Sequence, residues 1–276
     1  MVYGIIKLLN FAHGDIFMLG AFIGFTLLIA LPGGLQGLGL WATLMVLLLA
    51  RLATGLTGVL IEALAYRRLR SAPRLAVLIT AVGMSFILEY GVRQIWGPNP
   101  RSWPDWARFQ GDRVAVGPAN INQAQILLFA IAAALMVALA LYISRTRRGR
   151  AMRAIALDQK AAALMGINVN QTISLVFFIG SALAGAAGVM FGAYYASIDF
   201  LMGFLLGIKA FTAAVIGGIG NLYGAMLGGL TLGLLEALGT AWIGAEWKDV
   251  FTFVILILFL TFKPTGILGE RVVERM

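Results

Sequence analysis

The chain has no cysteine and a single histidine. Disulfides, Cys-ligated metals and thiol nucleophiles are excluded. One His with scattered acids also supplies too few ligands for a metal site, so neither a metal nor any other cofactor is expected. Charge is scarce: 12% of residues are Asp, Glu, Lys or Arg, against about 25% in a soluble domain. The chain has no GxxxxGK[ST] phosphate loop, so it is not an ATPase of that class. A short apolar core between a basic start and small residues is also missing, so no cleavable signal peptide is expected.

What the chain has in quantity is apolar sequence. Of 276 residues, 61% are hydrophobic, and mean hydropathy is +0.91. Residues 123–143, "QAQILLFAIAAALMVALALYI", carry no charge over a length that spans about 30 Å as a helix. The short alternating segments of a β-barrel are not seen. The 34 glycines suit close helix packing in lipid. The expected fold is all-α, a polytopic transmembrane helix bundle in one domain, residues 1–276. Apolar segments fall near 16–31, 40–61, 75–96, 123–143, 172–194, 207–219, 224–239 and 249–262, which gives about eight spans.

The net charge of +9 reads as topology rather than nucleic-acid binding. Loop 62–74 carries Arg67, Arg68, Arg70 and Arg74, and loop 144–171 carries Arg145, Arg147, Arg148, Arg150, Arg153 and Lys160. Both belong in the cytoplasm. Loop 97–122 is then external, with Trp96, Trp103 and Trp106 at the interface and Arg101, Arg108 and Arg113 offset by Asp105 and Asp112. A cytoplasmic tail bearing Lys263, Arg271 and Arg275 requires 207–239 to cross twice or enter and return. That region is expected to be a Gly-rich broken or re-entrant pair, with both termini inside.

Two Gly-interrupted polar breaks stand out. One is "NFAHGDIFMLG", holding Asn10, His13, Gly14 and Asp15; the other is Gly217-Gly218-Ile219-Gly220-Asn221. Paired interruptions point to a transport path, which makes Asn10, His13, Asp15 and Asn221 the substrate-path candidates. The plainer expectation for Asp15 is an N-cap ahead of the apolar run. Gly180, Ala184, Gly188 and Gly192 form one stripe at four-residue spacing, and Gly220, Gly224 and Gly228 form another; close packing explains both. The remaining intramembrane charges are Arg51, Glu89, Lys209 and Glu236. Arg51 costs about 3 kcal/mol in mid-span, and so faces the bundle interior or marks a break. Glu89 and Arg93 are spaced to pair on one face, and Lys209 is placed to snorkel.

Within loop 144–171, Ala151 to Leu164 has strong helix formers with Ala154, Ile155, Leu157, Ala161 and Leu164 at helical spacing, and Gly166 and Asn168 are expected to end the helix. A short cytoplasmic helix with a glycine stop is expected. It would serve as a grip for a cytoplasmic partner or as an interfacial connector.

At "KAAALMG" the loop resembles the coupling loop of ABC importer permeases, whose pattern is Glu-Ala-Ala, three residues, then Gly. Ala161, Ala162 and Gly166 fit; Lys160 replaces the Glu, and the later Pro is missing. Both departures resemble the branched-chain amino acid permeases. "GIIKLLNFAHGDIFMLGAF", "LIEALAYRRLRSAPRLAVLITAVGMSFIL", "RAIALDQKAAALMGINVNQTISLVFFIGSALAGAAGV" and "GIKAFTAAVIGGIGNLYGAMLGGLTLGLLEAL" extend that resemblance across most of the chain. Members carry a further apolar helix before the stretch matching "MVYGII", and here Met1 lies inside the match; either the start is misassigned or that helix has been lost.

The resemblance implies a non-enzymatic importer subunit in a bacterial inner membrane. Its partners would be two cytoplasmic ATPase subunits, a second related permease and a periplasmic or extracellular amino-acid-binding protein. The coupling loop, about 145–171, would hold Arg153, Lys160, Ala161, Ala162 and Gly166 against the ATPases. Sister permeases for urea or short amides share "AHG" and the glycine-rich segment. A channel or an intramembrane enzyme is the reading from a different class, and no convergent catalytic groups support an enzyme.

Overall fold

Long apolar runs between charged or Pro/Gly-rich joints form helices, because in lipid the backbone must satisfy its own hydrogen bonds. The computed structural model describes residues 10, 12–30, 40–70, 72–109, 111, 113–116 and 119–269. The "MVYGII" stretch, Asp112 and the tail cations Arg271 and Arg275 lie outside the described residues.

The helices are α1 (Ala12–Ala30), α2 (Leu40–Ile61), α3 (Arg74–Trp96), α4 (Gln123–Arg145), α5 (Arg147–Leu157), α6 (Gln159–Leu164), α7 (Val169–Tyr195), α8 (Met202–Gly217), α9 (Leu222–Trp242) and α10 (Lys248–Phe262). Six among the described residues are long and apolar enough to cross a membrane: α1, α2 with its extension, α3, α4, α7 and α9. Helices α8 and α10, of 16 and 15 residues, are shorter and pack on α9. The eight expected segments therefore all form helices, of two lengths.

Local signals set several ends. Asn122 and Gln125 form a capping box at the start of α4. Pro73 precedes α3, and Gly97 ends it at φ +88°. Helix α2 runs on through a π turn, Glu62–Tyr66, and a 3₁₀ turn, Arg67–Leu69. In the loop after α3, β1 (Arg101–Ser102) pairs antiparallel with β4 (Ser197–Ile198), while β2 (Arg113–Val116) and β3 (Ala119–Asn122) form a hairpin.

Helix α7 is the central span, packed against α1 and α2, and the most enclosed; α4 is the least. The stripe at Gly180, Ala184, Gly188 and Gly192 is buried, as its spacing predicts. A Cβ on Gly188 would strike the Phe17 carbonyl, and one on Gly192 the Trp103 ring. Gly20 on α1 meets the Gly185 backbone, and Gly185 meets Thr54 on α2. The three helices thus approach to backbone distance. One apolar cluster gathers around Trp103, Phe22 and Val189, another around Tyr66, Ile173 and Phe177.

Several local expectations are corrected. The helix expected over Ala151 to Leu164 is two helices, because Asp158 leaves the helix and accepts from Lys160 N (2.7 Å) and Ala161 N (3.0 Å) to cap α6. Asn168 starts α7 rather than ending α6. Gly220 sits outside α9 at φ +99°, so the second packed row is Gly217 with Gly224 and Gly228.

Candidate functional site

Three places concentrate polar groups: the α1–α8 seam, the α8–α9 break with its charge network, and the end of α2 beside α5 and α6. At the seam, α1 begins at Ala12, so Asp15 lies inside the first turn and is not an N-cap. Its side chain is fully buried. Ser85, on α3, donates its hydroxyl to Asp15 Oδ2, while Asp15 Oδ1 has no partner among the described residues. Glu89, one turn beyond Ser85, is buried too and acts electrostatically on Asp15. No ion pair joins Glu89 to Arg93 among the described residues; the Arg93 guanidinium sits 5.7 Å from the Phe200 ring centre and 6.0 Å from that of Tyr90.

The seam itself is glycine on glycine. A Cβ on Gly14 would meet Gly203 O, and would come within 2.7 Å of Gly207 Cα. A Cβ on Gly203 would lie 2.6 Å from Asp15 Oδ1.

The structure does not gather the four path candidates. Asn10 Oδ1 accepts from the Tyr66 hydroxyl at 2.8 Å, which ties it to the end of α2. His13 is half-buried in the first turn of α1 and makes no side-chain bond to Asn10 or Asp15 among the described residues. Asn221 belongs to another junction. It caps α9 by accepting from Gly224 N (3.0 Å) and donates Nδ2–H to Leu268 O (2.9 Å).

The α8–α9 break is satisfied by the chain's own C-terminal segment. Ile267 N donates to Ile216 O (2.8 Å) and Leu268 N to Gly217 O (3.0 Å). Gly218, at φ +103°, lets Gly269 and Gly266 approach its backbone. These bonds take two carbonyls that the end of α8 would otherwise leave orphaned. Replacing Asn221 with alanine removes both the cap and the bond to Leu268. A loss of about 1–2 kcal/mol is expected, read as a lower melting temperature with faster proteolysis near residues 263–269.

Lys209 is the centre of a charge network. Its Nζ pairs with Glu236 Oε1 (3.0 Å) and Asp249 Oδ1 (2.8 Å), Lys248 reaches Glu236 Oε2 (3.7 Å), and Thr252 donates to Glu236. This network ties α8, α9 and α10 together. Arg51 is half-buried on α2, with no side-chain partner among the described residues.

At the end of α2, Glu62 is fully buried and collects Arg67 (2.8 Å), Arg70 and Ser174 of α7 (2.8 Å). Arg70 also donates to Asn170 (2.5 Å). This node fixes α2 to the first turns of α7, immediately after α5 and α6. There Ala162 is buried against the bundle, whereas Arg153, Lys160 and Ala161 are exposed. Leu157, Leu164 and Met165 are 87%, 90% and 82% exposed, three bare apolar side chains on a charged loop. Gly166 ends α6 at φ +82°, with Ile167 N donating to Ala162 O (3.1 Å). The backbone N–H groups of Ala161 and Lys160 hold the Asp158 carboxyl below the usual aspartate range.

Sequence reasoning missed Ser85, Gly203, Gly207 and Glu62. Serine in mid-helix and glycine in a Gly-rich chain give little signal. Glu62 was legible in principle as a lone acid ahead of Arg67, Arg68 and Arg70.

A family profile described as "Branched-chain amino acid transport system / permease component" matches residues 1–260. BraD, a high-affinity branched-chain amino acid transport system permease protein from Pseudomonas aeruginosa, is 45% identical over 280 residues, covering 100% of this chain and 91% of that protein. LivH from Escherichia coli K12, a permease of the same description, is 42% identical over 290 residues, covering 100% and 90%. More distantly, the autoinducer 2 import permease LsrC from an Enterobacter is 28% identical across 67% of this chain and 54% of its own length. No solved structure matches. The helical bundle, the exposed helices α5 and α6 and these full-length similarities agree: the chain belongs to the branched-chain amino acid transport permease family, as a membrane transport component and not an enzyme.

Proposed function

We propose that this chain is the permease subunit of an ATP-binding cassette importer that carries branched-chain, hydrophobic amino acids across the bacterial inner membrane. The observation that carries this reading is 45% identity along the whole chain to a permease named for that transport. Residues 1–276 act as one domain with both termini cytoplasmic, loop 97–122 outside and 145–171 inside. Two ATPase subunits engage Leu157, Lys160, Ala161, Leu164 and Met165. A second related permease completes the pore, and a periplasmic or extracellular binding protein docks outside.

ATPase closure pushes on α5 and α6, and the Glu62 node passes that displacement to α2 and α7. The units α1–α2–α7 and α8–α9–α10 then shift at the glycine seam, where bare backbone slides without interlocking side chains. His13 and Asp15 border the path; Asn10 and Asn221 hold the backbone on either side of it.

Uptake of labelled leucine against labelled urea, in cells lacking other routes, tests the substrate. Leucine uptake dependent on this chain is expected. Urea uptake in its place assigns the chain to an amide importer.

A further inference from the structure

The buried acids of this protein fall into two kinds. Glu62 has Arg67 and Arg70 within ion-pair distance, and Glu236 has Lys209 and Lys248. Asp15 and Glu89 have no cation within ion-pair distance among the described residues, although both are buried. Ser85 supplies one hydroxyl to Asp15 Oδ2. Asp15 Oδ1 is the only buried side-chain nitrogen or oxygen without a hydrogen-bond partner among the described residues. A buried carboxylate in that condition is costly, so the arrangement suits a missing positive group.

Oδ1 faces Gly203, in the first turn of α8. The residue before that helix, Leu201, contributes no side-chain cap; Asp199 takes the N–H groups of Leu201 (Oδ1, 2.7 Å) and Met202 (carbonyl, 3.3 Å), and the next N–H groups of the first turn, from Gly203 on, have no side-chain acceptor among the described residues. An acceptor for a cation and the positive end of a 16-residue helix therefore lie side by side at the seam.

We propose that Asp15, with Ser85 and Glu89, forms a binding site for a primary ammonium group. On the transport reading above, on which this assignment rests, that group is the α-ammonium of the substrate. Its carboxylate meets the first turn of α8 as α1 and α8 part. Each end of the zwitterion is matched within one residue of Gly203, and the aliphatic side chain requires only apolar walls. Gly14, Gly203 and Gly207 keep the seam free of side chains that a passing ligand would have to displace.

The test uses the complete complex of permeases, ATPases and binding protein. In the first arm its melting temperature is followed on titration with methylammonium chloride, with sodium chloride at equal ionic strength as the reference. Methylammonium is expected to stabilise the wild-type complex and not Asp15→Asn, a substitution that keeps an acceptor for Ser85 but removes the charge. In the second arm, leucine uptake into proteoliposomes is expected to fall about tenfold or more in Asp15→Asn, as loss of a charge-assisted contact implies, and less in Glu89→Gln. Copurification of the ATPase subunits with each variant checks that the complex still assembles. Equal stabilisation by sodium, or none by methylammonium in the wild type, overturns the assignment. So does normal uptake by Asp15→Asn, which makes Asp15 a neutral hydrogen-bonding group. If Asp15→Asn fails to assemble, Glu89→Gln decides, and normal uptake by it refutes the site. A wild-type complex stabilised by methylammonium that carries no leucine leaves the ammonium site standing and removes the transport reading instead.

Discussion

Gly20→Val is expected to abolish accumulation of folded protein in the membrane. The Gly20 Cα faces Gly185, and a Cβ there would come within 2.7 Å of Gly185 O and 2.9 Å of Gly185 C. These are backbone atoms of the most enclosed helix, so no flexible side chain can move aside. Separating α1 from α7 would also disturb the cluster around Phe22 and Val189. A cost of about 3 kcal/mol or more follows from overpacking, a large share of a typical domain's stability. The control is Gly233→Ala, where nothing lies within 4 Å of the added methyl; it should express and melt like the wild type. Membrane-fraction yield and thermal unfolding check both.

Glu62→Ala is the second large effect. The substitution removes the acceptor shared by Arg67, Arg70 and Ser174, and leaves Arg67–Ser174 and Arg70–Asn170 as the polar ties between the end of α2 and α7. Removing one partner of a fully buried pair costs about 3–5 kcal/mol. Here the side chains of Arg67 and Arg70 are 42% and 20% exposed and rehydrate in part, so about 2–3 kcal/mol is expected. Function should suffer more than stability. Without the node, α2 follows the displacement of α7 less tightly, and ATP hydrolysis should continue with little transport. Glu62→Gln keeps the Ser174 bond but not the ion pairs, and should fall between. Measured together, hydrolysis and uptake separate uncoupling from simple instability.

The architecture was largely readable because lipid forces apolar runs into helices, and because Lys and Arg mark the joints. The eight segments match helices to within a few residues, and the four-residue spacing of Gly180, Ala184, Gly188 and Gly192 named a packed face. Long-range closure was hidden. Nothing local in "TGILG" says that Ile267 and Leu268 cap the end of α8, or that Asn221 reaches Leu268. The split at Asp158 was masked by strong helix formers on both sides, although Asp is a natural N-cap. At the seam, the polar cluster in "NFAHGDIFMLG" was visible, but its partner was not. Ser85 lies 70 residues away, and the side chain of Asn10 turns instead to Tyr66. Lys209 and Glu236 likewise find each other only because α8 and α9 fold back on one another.

The most direct measurement is leucine accumulation in proteoliposomes carrying the complete complex, with and without ATP, for the wild type and for Leu164→Asp. Leucine should accumulate in the wild type only with ATP, and Leu164→Asp, which places a charge on the exposed face of α6, should lose uptake together with ATPase association. Leucine flux that persists without ATP, or is indifferent to Leu164→Asp, would contradict an ATP-driven permease coupled through α5 and α6.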